Sequence, residues 1–245
     1  MQVKIKILCL ISRYCVKNSR NAGDSVTITN FAAMKLRWKI AQFFEAWWWR
    51  FYLLGKSSED YLVWKKQYWQ NFLTQAGIEY SPDERILDVG CGPAGIFIHF
   101  DQHPDITAID PLLPKYRRQW PGMHDALFPN IRFVAGPFEH FMPGKPFDLV
   151  FCLNVINHVA NLDVCVKKLR EVTRTGGRLV LTVDAHNFLF FKKVFRLLPG
   201  DILHPHQFDL KEYVAKLESQ GFKISRQKRL KRHFFFTYYL LVATI

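Results

Sequence analysis

Arg85-Ile86-Leu87-Asp88-Val89-Gly90-Cys91-Gly92-Pro93-Ala94-Gly95 is the stretch on which the fold turns. An apolar β-type run enters a turn with three glycines, and the apolar Ile96-Phe97-Ile98 follows, so the pattern predicts strand, tight turn and helix. Glycine is needed where the backbone passes close to a ligand and a Cβ would collide. A second β-type run, Ile106-Thr107-Ala108-Ile109, ends at Asp110, 18 residues beyond Gly92. A carboxylate at that distance is placed to grip a ribose diol. The glycine spacing alone is a weak signal. Framed by a strand, a helix and a terminal acid, it points to a cofactor that contains a nucleoside.

Asp88, two residues before the first glycine, narrows the choice. A dinucleotide fold has an apolar residue there, because a pyrophosphate repels a carboxylate in a low-dielectric site. A cofactor with an ammonium and no phosphate would welcome it. The run ILDVGCGPAG (Ile86–Gly95) resembles the first motif of class I S-adenosylmethionine-dependent methyltransferases, among them the small-molecule enzymes of ubiquinone and menaquinone biosynthesis. The resemblance covers roughly residues 81–245. It implies S-adenosyl-L-methionine as cofactor, bound by Asp88, Gly90, Cys91, Gly92, Gly95, Asp110, Pro111, Phe138, Glu139, Leu153 and Asn154. Relatives carry an acid near the adenine after strand three. Here Pro137 fills that slot, and Phe138 and Glu139 are the substitutes. Of two histidines found after strand four in many relatives, only His158 remains, preceded by Asn157, and a loop-holding role is expected for it.

The rest of the chain alternates in the same way. Ile131–Ala135 and Phe147–Asn154 read as strands three and four, Leu162–Thr173 as a helix stopped by Gly176-Gly177, and Arg178–Val183 as strand five. Asp209 and Glu212 have capping-box spacing before a helix that ends at Gly221. Two β-like runs, Phe222–Leu230 and Phe234–Thr244, close the chain. The expected fold is α/β: a doubly wound, Rossmann-like, seven-stranded, mostly parallel sheet with an antiparallel terminal hairpin. An aromatic-rich helical extension precedes it. Three segments follow: 1–33, 34–80 and 81–245.

Residues 1–33 are basic and show no sustained period. They read as a disordered tail, an organelle-type presequence or an extension upstream of a start at Met34; the last is preferred because helical periodicity begins there. The first helix shows a polar stripe (Lys35, Lys39, Gln42, Glu45) and a wide apolar face to Leu54, ending at Gly55. A second starts near Ser57–Ser58 and carries Tyr61, Trp64, Tyr68 and Phe72 on one stripe. Six of the seven tryptophans lie between residues 38 and 69. Such rings pack on the following domain, or form a lid over an apolar substrate or a helix lying in a membrane interface.

The net charge of +13 is uneven: +7 over residues 1–80, zero over 81–221 and +6 over 222–245. A neutral cofactor domain, with aromatics not interleaved with bases, argues against a nucleic-acid partner. The terminal Lys223, Arg226, Lys228, Arg229, Lys231 and Arg232 suit either peripheral contact with an anionic membrane or protection of a sheet edge. No stretch is apolar enough to span a bilayer, and the five cysteines lack CxxC spacing, which suits a cytoplasmic protein with Cys91 and Cys152 buried in strand contexts.

Methyl transfer is an in-line displacement that mainly needs positioning, with a base if the acceptor is a hydroxyl. Strand five leads to Asp184 and His186, and a later turn carries His204 and His206, so these four are the candidates for base and orienting acid. They are also metal-ligand types, but their sequence separation makes the metal signal weak, and no metal is expected. The expected acceptor is a small, apolar or lipid-like molecule. The alternatives are an NAD(P)-dependent oxidoreductase using the same turn and a non-catalytic, cofactor-binding, membrane-associated protein.

Overall fold

The computed structural model describes residues 40, 42–159, 161–188 and 208–245. Among these, seven strands form one sheet: β1 (Ile86–Val89), β2 (Ile106–Asp110), β3 (Ile131–Ala135), β4 (Phe147–Leu153), β5 (Thr173–His186), β6 (Lys223–Arg232) and β7 (Phe236–Thr244). Their order is β3-β2-β1-β4-β5-β7-β6. β1 to β5 pair in parallel, and β7 lies antiparallel between β5 and β6. The order reverses at β1, whose neighbours are β2 and β4, and the crevice beyond the carboxyl ends of these strands is where such sheets bind ligands. The expected fold class, with its terminal hairpin, is what the chain adopts.

Every residue of β1 and β2 is buried, as in a parallel sheet covered on both faces. Strand alternation sends Ile86, Phe151 and Val180 to one face and Leu87, Val89, Val150 and Leu181 to the other. The second face is covered by α4 (Leu162–Val172) and α5 (Leu210–Ser219). The Asp209–Glu212 capping box forms in both directions. The first face is covered by α2 (Ser58–Ala76), which buries Phe72, Leu73 and Ala76 there, and by α3 (Leu113–Gln119). Before α2, residues 42–53 form α1. Ser57 caps α2, and Gly77 ends it in the left-handed conformation, φ 59°.

The helix expected after the glycine turn is not there. Ile96–Ile98 makes a single 3-10 turn, and the chain reaches β2 within eight residues. Ile96, Phe97, Ile98 and Phe100 are all buried, so the segment has no polar face to offer to water and sinks into the sheet as a plug, Phe100 lying 5.6 Å from the Phe151 ring. The helix's place is taken by α2, tied over the plug by Trp69 Nε1 donating to Ala94 O at 3.1 Å and by a Lys66–Asp101 ion pair at 2.8 Å. β5 also begins earlier than expected, at Thr173, so the Gly176-Gly177 pair lies inside the strand.

β6 is the sheet's outer edge. Two of its basic residues turn inward: the Arg226 guanidinium donates to Ala76 O and the Lys228 ammonium to Gln75 O at 3.0 Å. These are the last carbonyls of α2, which its own helix cannot satisfy. Cys91, Cys152 and Cys165 are buried free thiols.

Candidate active site

The three glycines of the turn meet different constraints. Gly90 has φ 64°, and a Cβ there would lie 2.4 Å from Val155. Its N–H and that of Cys91 both donate to Ile109 O, at 2.8 and 3.1 Å, which locks the turn against β2. A Cβ on Gly95 would sit 2.4 Å from both Asp88 Oδ2 and Cys91 O. Gly92, φ 56°, is the open one: a Cβ there would meet only Trp49 of α1, at 3.9 Å. Two glycines are thus demanded by the protein's own packing, and the third leaves backbone bare toward the crevice.

Asp88 and Asp110 flank this turn. Asp88 is 2% exposed, and its Oδ2 accepts from Phe97 N at 3.1 Å. Asp110 ends β2; its Oδ1 accepts from Leu112 N at 2.7 Å and its Oδ2 from Gly92 N at 3.0 Å. Each carboxylate oxygen keeps a lone pair for a further donor. Burial pushes both carboxyls up to about 7; their backbone donors pull the other way, and neighbouring negative charges, Asp110 for Asp88 and Glu45 for Asp110, add to the rise. Two buried carboxyls side by side favour a cationic ligand between them.

Both acids open on a cavity of about 800 Å³. Asp88, Gly90, Cys91, Gly92, Gly95, Asp110, Pro111, Phe138, Glu139, Leu153 and Asn154 all line it. Asn154, just past β4, holds φ 60°, a conformation few residues other than glycine adopt. Its N–H donates to Thr182 Oγ1 at 2.8 Å, and Tyr238 O–H donates to the same oxygen at 2.8 Å. The rest of the cavity wall is largely aromatic and comes from distant segments: Trp48 and Trp49 of α1, Lys65, Tyr68 and Trp69 of α2, and Lys231, His233 and Tyr238 of the hairpin.

The four candidates for proton transfer separate. Asp184 lines the cavity. His186 does not: it is 7% exposed, its ring centroid lies 4.4 Å from that of Phe236, and its backbone N–H donates to Phe208 O. His204 and His206 lie outside the described residues. Asn157 is a structural tie, its amide donating to Asp184 O at 3.1 Å and accepting from Tyr213 O–H at 3.2 Å. His158, next to it, reaches the cavity wall. Sequence reasoning missed Glu45, Lys65 and Tyr238 as site residues, while Tyr68 belongs to the aromatic stripe read as core or lid. Lys65, Tyr68 and Trp69 share an i, i+3, i+4 face of α2, a signal that was present but indistinguishable from core spacing.

Residues 61–227 match a family described as a methyltransferase domain. The chain belongs to this family, and its class is that of the S-adenosylmethionine-dependent methyltransferases, as the glycine-turn motif implied. It is 31% identical over 110 residues to the malonyl-[acyl-carrier protein] O-methyltransferase of Enterobacter lignolyticus, covering 43% of this chain and 41% of that protein. It is 27% identical over 110 residues to the mitochondrial ubiquinone biosynthesis O-methyltransferase of Schizosaccharomyces pombe, covering 43% and 40%. The chain thus spans about two fifths of the length of these curated relatives. Its fold is similar to that of 1,6-didemethyltoxoflavin-N1-methyltransferase of Burkholderia thailandensis, solved with 1,6-didemethyltoxoflavin and S-adenosylhomocysteine: TM-score 0.57, 16% identity, 92% of each chain.

Proposed function

We propose that the protein transfers a methyl group from S-adenosylmethionine to a hydroxyl, or another nucleophile, of a small apolar acceptor. The observation that carries this reading is a single cavity whose wall combines the acids of the glycine turn with the aromatic rings of α1, α2 and the hairpin. Bound there, the cofactor supplies a methyl group on a cationic sulfur that departs neutral. The protein's part is to bind and align. Asp110 accepts the ribose hydroxyls on the lone pairs that Gly92 and Leu112 leave free. Asp88 would face the cationic amino-acid end, Gly90 to Gly92 would lend backbone, Phe138 and Glu139 would lie by the adenine, and Leu153 and Asn154 would complete the cofactor's wall. Asp184, near the end of β5, is a described cavity residue suited to take a proton from an acceptor hydroxyl; His204 and His206, further along the chain, are the other candidates.

The oxidoreductase alternative gains nothing from the geometry. A dinucleotide pyrophosphate needs free N–H groups at a helix N-terminus, whereas here Asp88 occupies the Phe97 N–H and the helix is a three-residue turn. Calorimetric titration tests the choice: S-adenosylmethionine should bind and NADH should not. Binding of NADH alone would overturn the reading.

Peripheral membrane contact remains part of the proposal because α1 presents Phe43 (60% exposed) and Phe51 (53%), and Leu54 (72%) follows in the turn after it. None of the described helices is long and apolar enough to cross a membrane. Co-sedimentation with anionic vesicles should fall when Phe43 and Phe51 are changed to Ser; unchanged binding would remove this part.

A further inference from the structure

Lys65 is the odd residue of the aromatic end. Its ammonium lies 4.7 Å from the centroid of the Tyr68 ring, 5.0 Å from Trp69 and 5.5 Å from Trp64, and it lines the cavity. Trp69 is fixed by its bond to Ala94 O, so the rings form a set collar around the ammonium. Among the described residues no acid forms an ion pair with Lys65. Ring faces attract a cation but do not neutralise it. Burial accordingly draws the ammonium down to about 8. Tyr68 lies close enough to Tyr238 to affect its ionisation, and Tyr238 pairs across the hairpin with Lys231. The hairpin thereby brings Lys231 and His233 to the cavity that Lys65 enters. Of the acids on the wall, Glu45, Asp88 and Asp110 lie by the glycine turn and Glu139 follows β3, whereas Asp184 of β5 is paired directly with Tyr238 of β7.

We infer that the acceptor carries an anionic group, a carboxylate or a phosphate, and that Lys65, with Lys231 and His233, holds it while the aromatic collar holds the apolar body. This rests on the methyltransferase reading and narrows its substrate class. The cavity then offers buried carboxylates to a cationic donor and ammonium groups to an anionic acceptor, with Asp184 next to Tyr238 at the acceptor. An acceptor seated in this way is oriented lengthwise, and orientation is most of what methyl transfer asks of a protein. An anion at Lys65 also removes the electrostatic penalty of a half-buried, unpaired cation.

The full chain is first saturated with S-adenosylhomocysteine, then titrated with decanoate, decyl phosphate and decanol, following tryptophan fluorescence. At least one of the two anions should bind about tenfold or more tightly than decanol. Lys65→Met should erase that advantage and leave decanol unchanged, while Lys65→Arg should keep most of it. Lys231→Met should weaken the same anion without altering S-adenosylhomocysteine affinity. Failure of S-adenosylhomocysteine to bind would overturn the methyltransferase reading itself. With it bound, equal affinity for anions and alcohol, or an anion preference that survives Lys65→Met, overturns the anion site alone. Preference for decanoate over decyl phosphate, or the reverse, names the source of the charge. Should Lys65→Met fail to fold, the comparison of anions with decanol on the unaltered protein decides by itself.

Discussion

The two ends of the cavity are built in opposite ways. The glycine-turn end draws on short stretches at the carboxyl ends of β1 to β4, which parallel pairing places side by side. Its two acids are buried and held by backbone donors, Asp88 by Phe97 N and Asp110 by Leu112 N and Gly92 N, while the backbone of Asn154 is held on Thr182 Oγ1. The aromatic end joins α1, α2 and a hairpin more than 150 residues away in the chain. Its residues are half-exposed, held by ring contacts and by few directed bonds. A cofactor common to a whole class calls for a rigid, local site, whereas an acceptor that differs from protein to protein is met by elements free to vary.

The comparison can be broken or sharpened by substitution. The largest effect belongs to Gly90→Arg. The φ of 64° and the 2.4 Å approach to Val155 leave no room for a side chain, so S-adenosylmethionine binding should vanish in calorimetry, with a lowered melting temperature. Retained affinity would show that the turn is not the binding element. Next is Asp110→Ala, which removes a charged acceptor shared by two N–H groups and the proposed diol. At about 1.5–3 kcal/mol for a hydrogen bond to a charged group, affinity should fall roughly 100-fold, again by calorimetry, while acceptor-probe binding changes little.

Titration gives a third test. Asp88 and Asp110 take up their protons near pH 7 in the folded chain and in the usual carboxylate range when unfolded. Between about pH 4 and 7 the folded state therefore binds more protons, so these two groups withdraw stability as pH rises through that window. Affinity for the cationic cofactor moves the other way: it should climb from about pH 5.5 to 8 as both acids ionise, then level off. Asp88→Asn should raise the melting temperature of the cofactor-free protein at pH 8, at about 2–4 °C per kcal/mol for a domain of this size, while weakening the cofactor. A flat affinity profile would remove the two acids from the site.

Smaller effects probe the aromatic end. Asn157→Ala should lower kcat more than it weakens S-adenosylmethionine, because it frees the carbonyl of Asp184 and the hydroxyl of Tyr213, at about 1–3 kcal/mol for the buried groups left unpaired. Equal loss of both would mean that the tie serves the whole crevice. Arg226→Gln with Lys228→Gln should reduce stability by about 1 kcal/mol through the lost closure of α2, read as a lower melting temperature, with vesicle binding little changed. A large drop in vesicle binding would instead favour the membrane role for the basic hairpin.

How legible each part was follows from how local it is. All eleven residues proposed for the cofactor fall on one cavity because they lie at or just beyond the carboxyl ends of β1 to β4, and strand ends can be read from apolar runs and glycines. The helix after the turn was misread for a physical reason. Ile96-Phe97-Ile98 is apolar on every side, and a buried plug and a buried helix share that pattern; only the presence of α2 on the same face decides between them. His186 matched in type and strand, yet packing on Phe236 leaves it off the cavity wall. Lys65 was passed over because a lysine between aromatic residues looks like a solvated position until something is known to stand over it.

By itself the sequence determined the sheet, the glycine turn, the two acids that frame it and the class of cofactor. These depend on period, spacing and residue type within a few tens of residues. Only the tertiary structure decided which faces of α1 and α2 meet the crevice, that α2 replaces a missing helix, that Arg226 and Lys228 close α2, and that Lys65 shares a cavity with the hairpin. The reason is that a helix or hairpin states in its sequence which side is apolar, but what that side packs against is fixed by elements far along the chain.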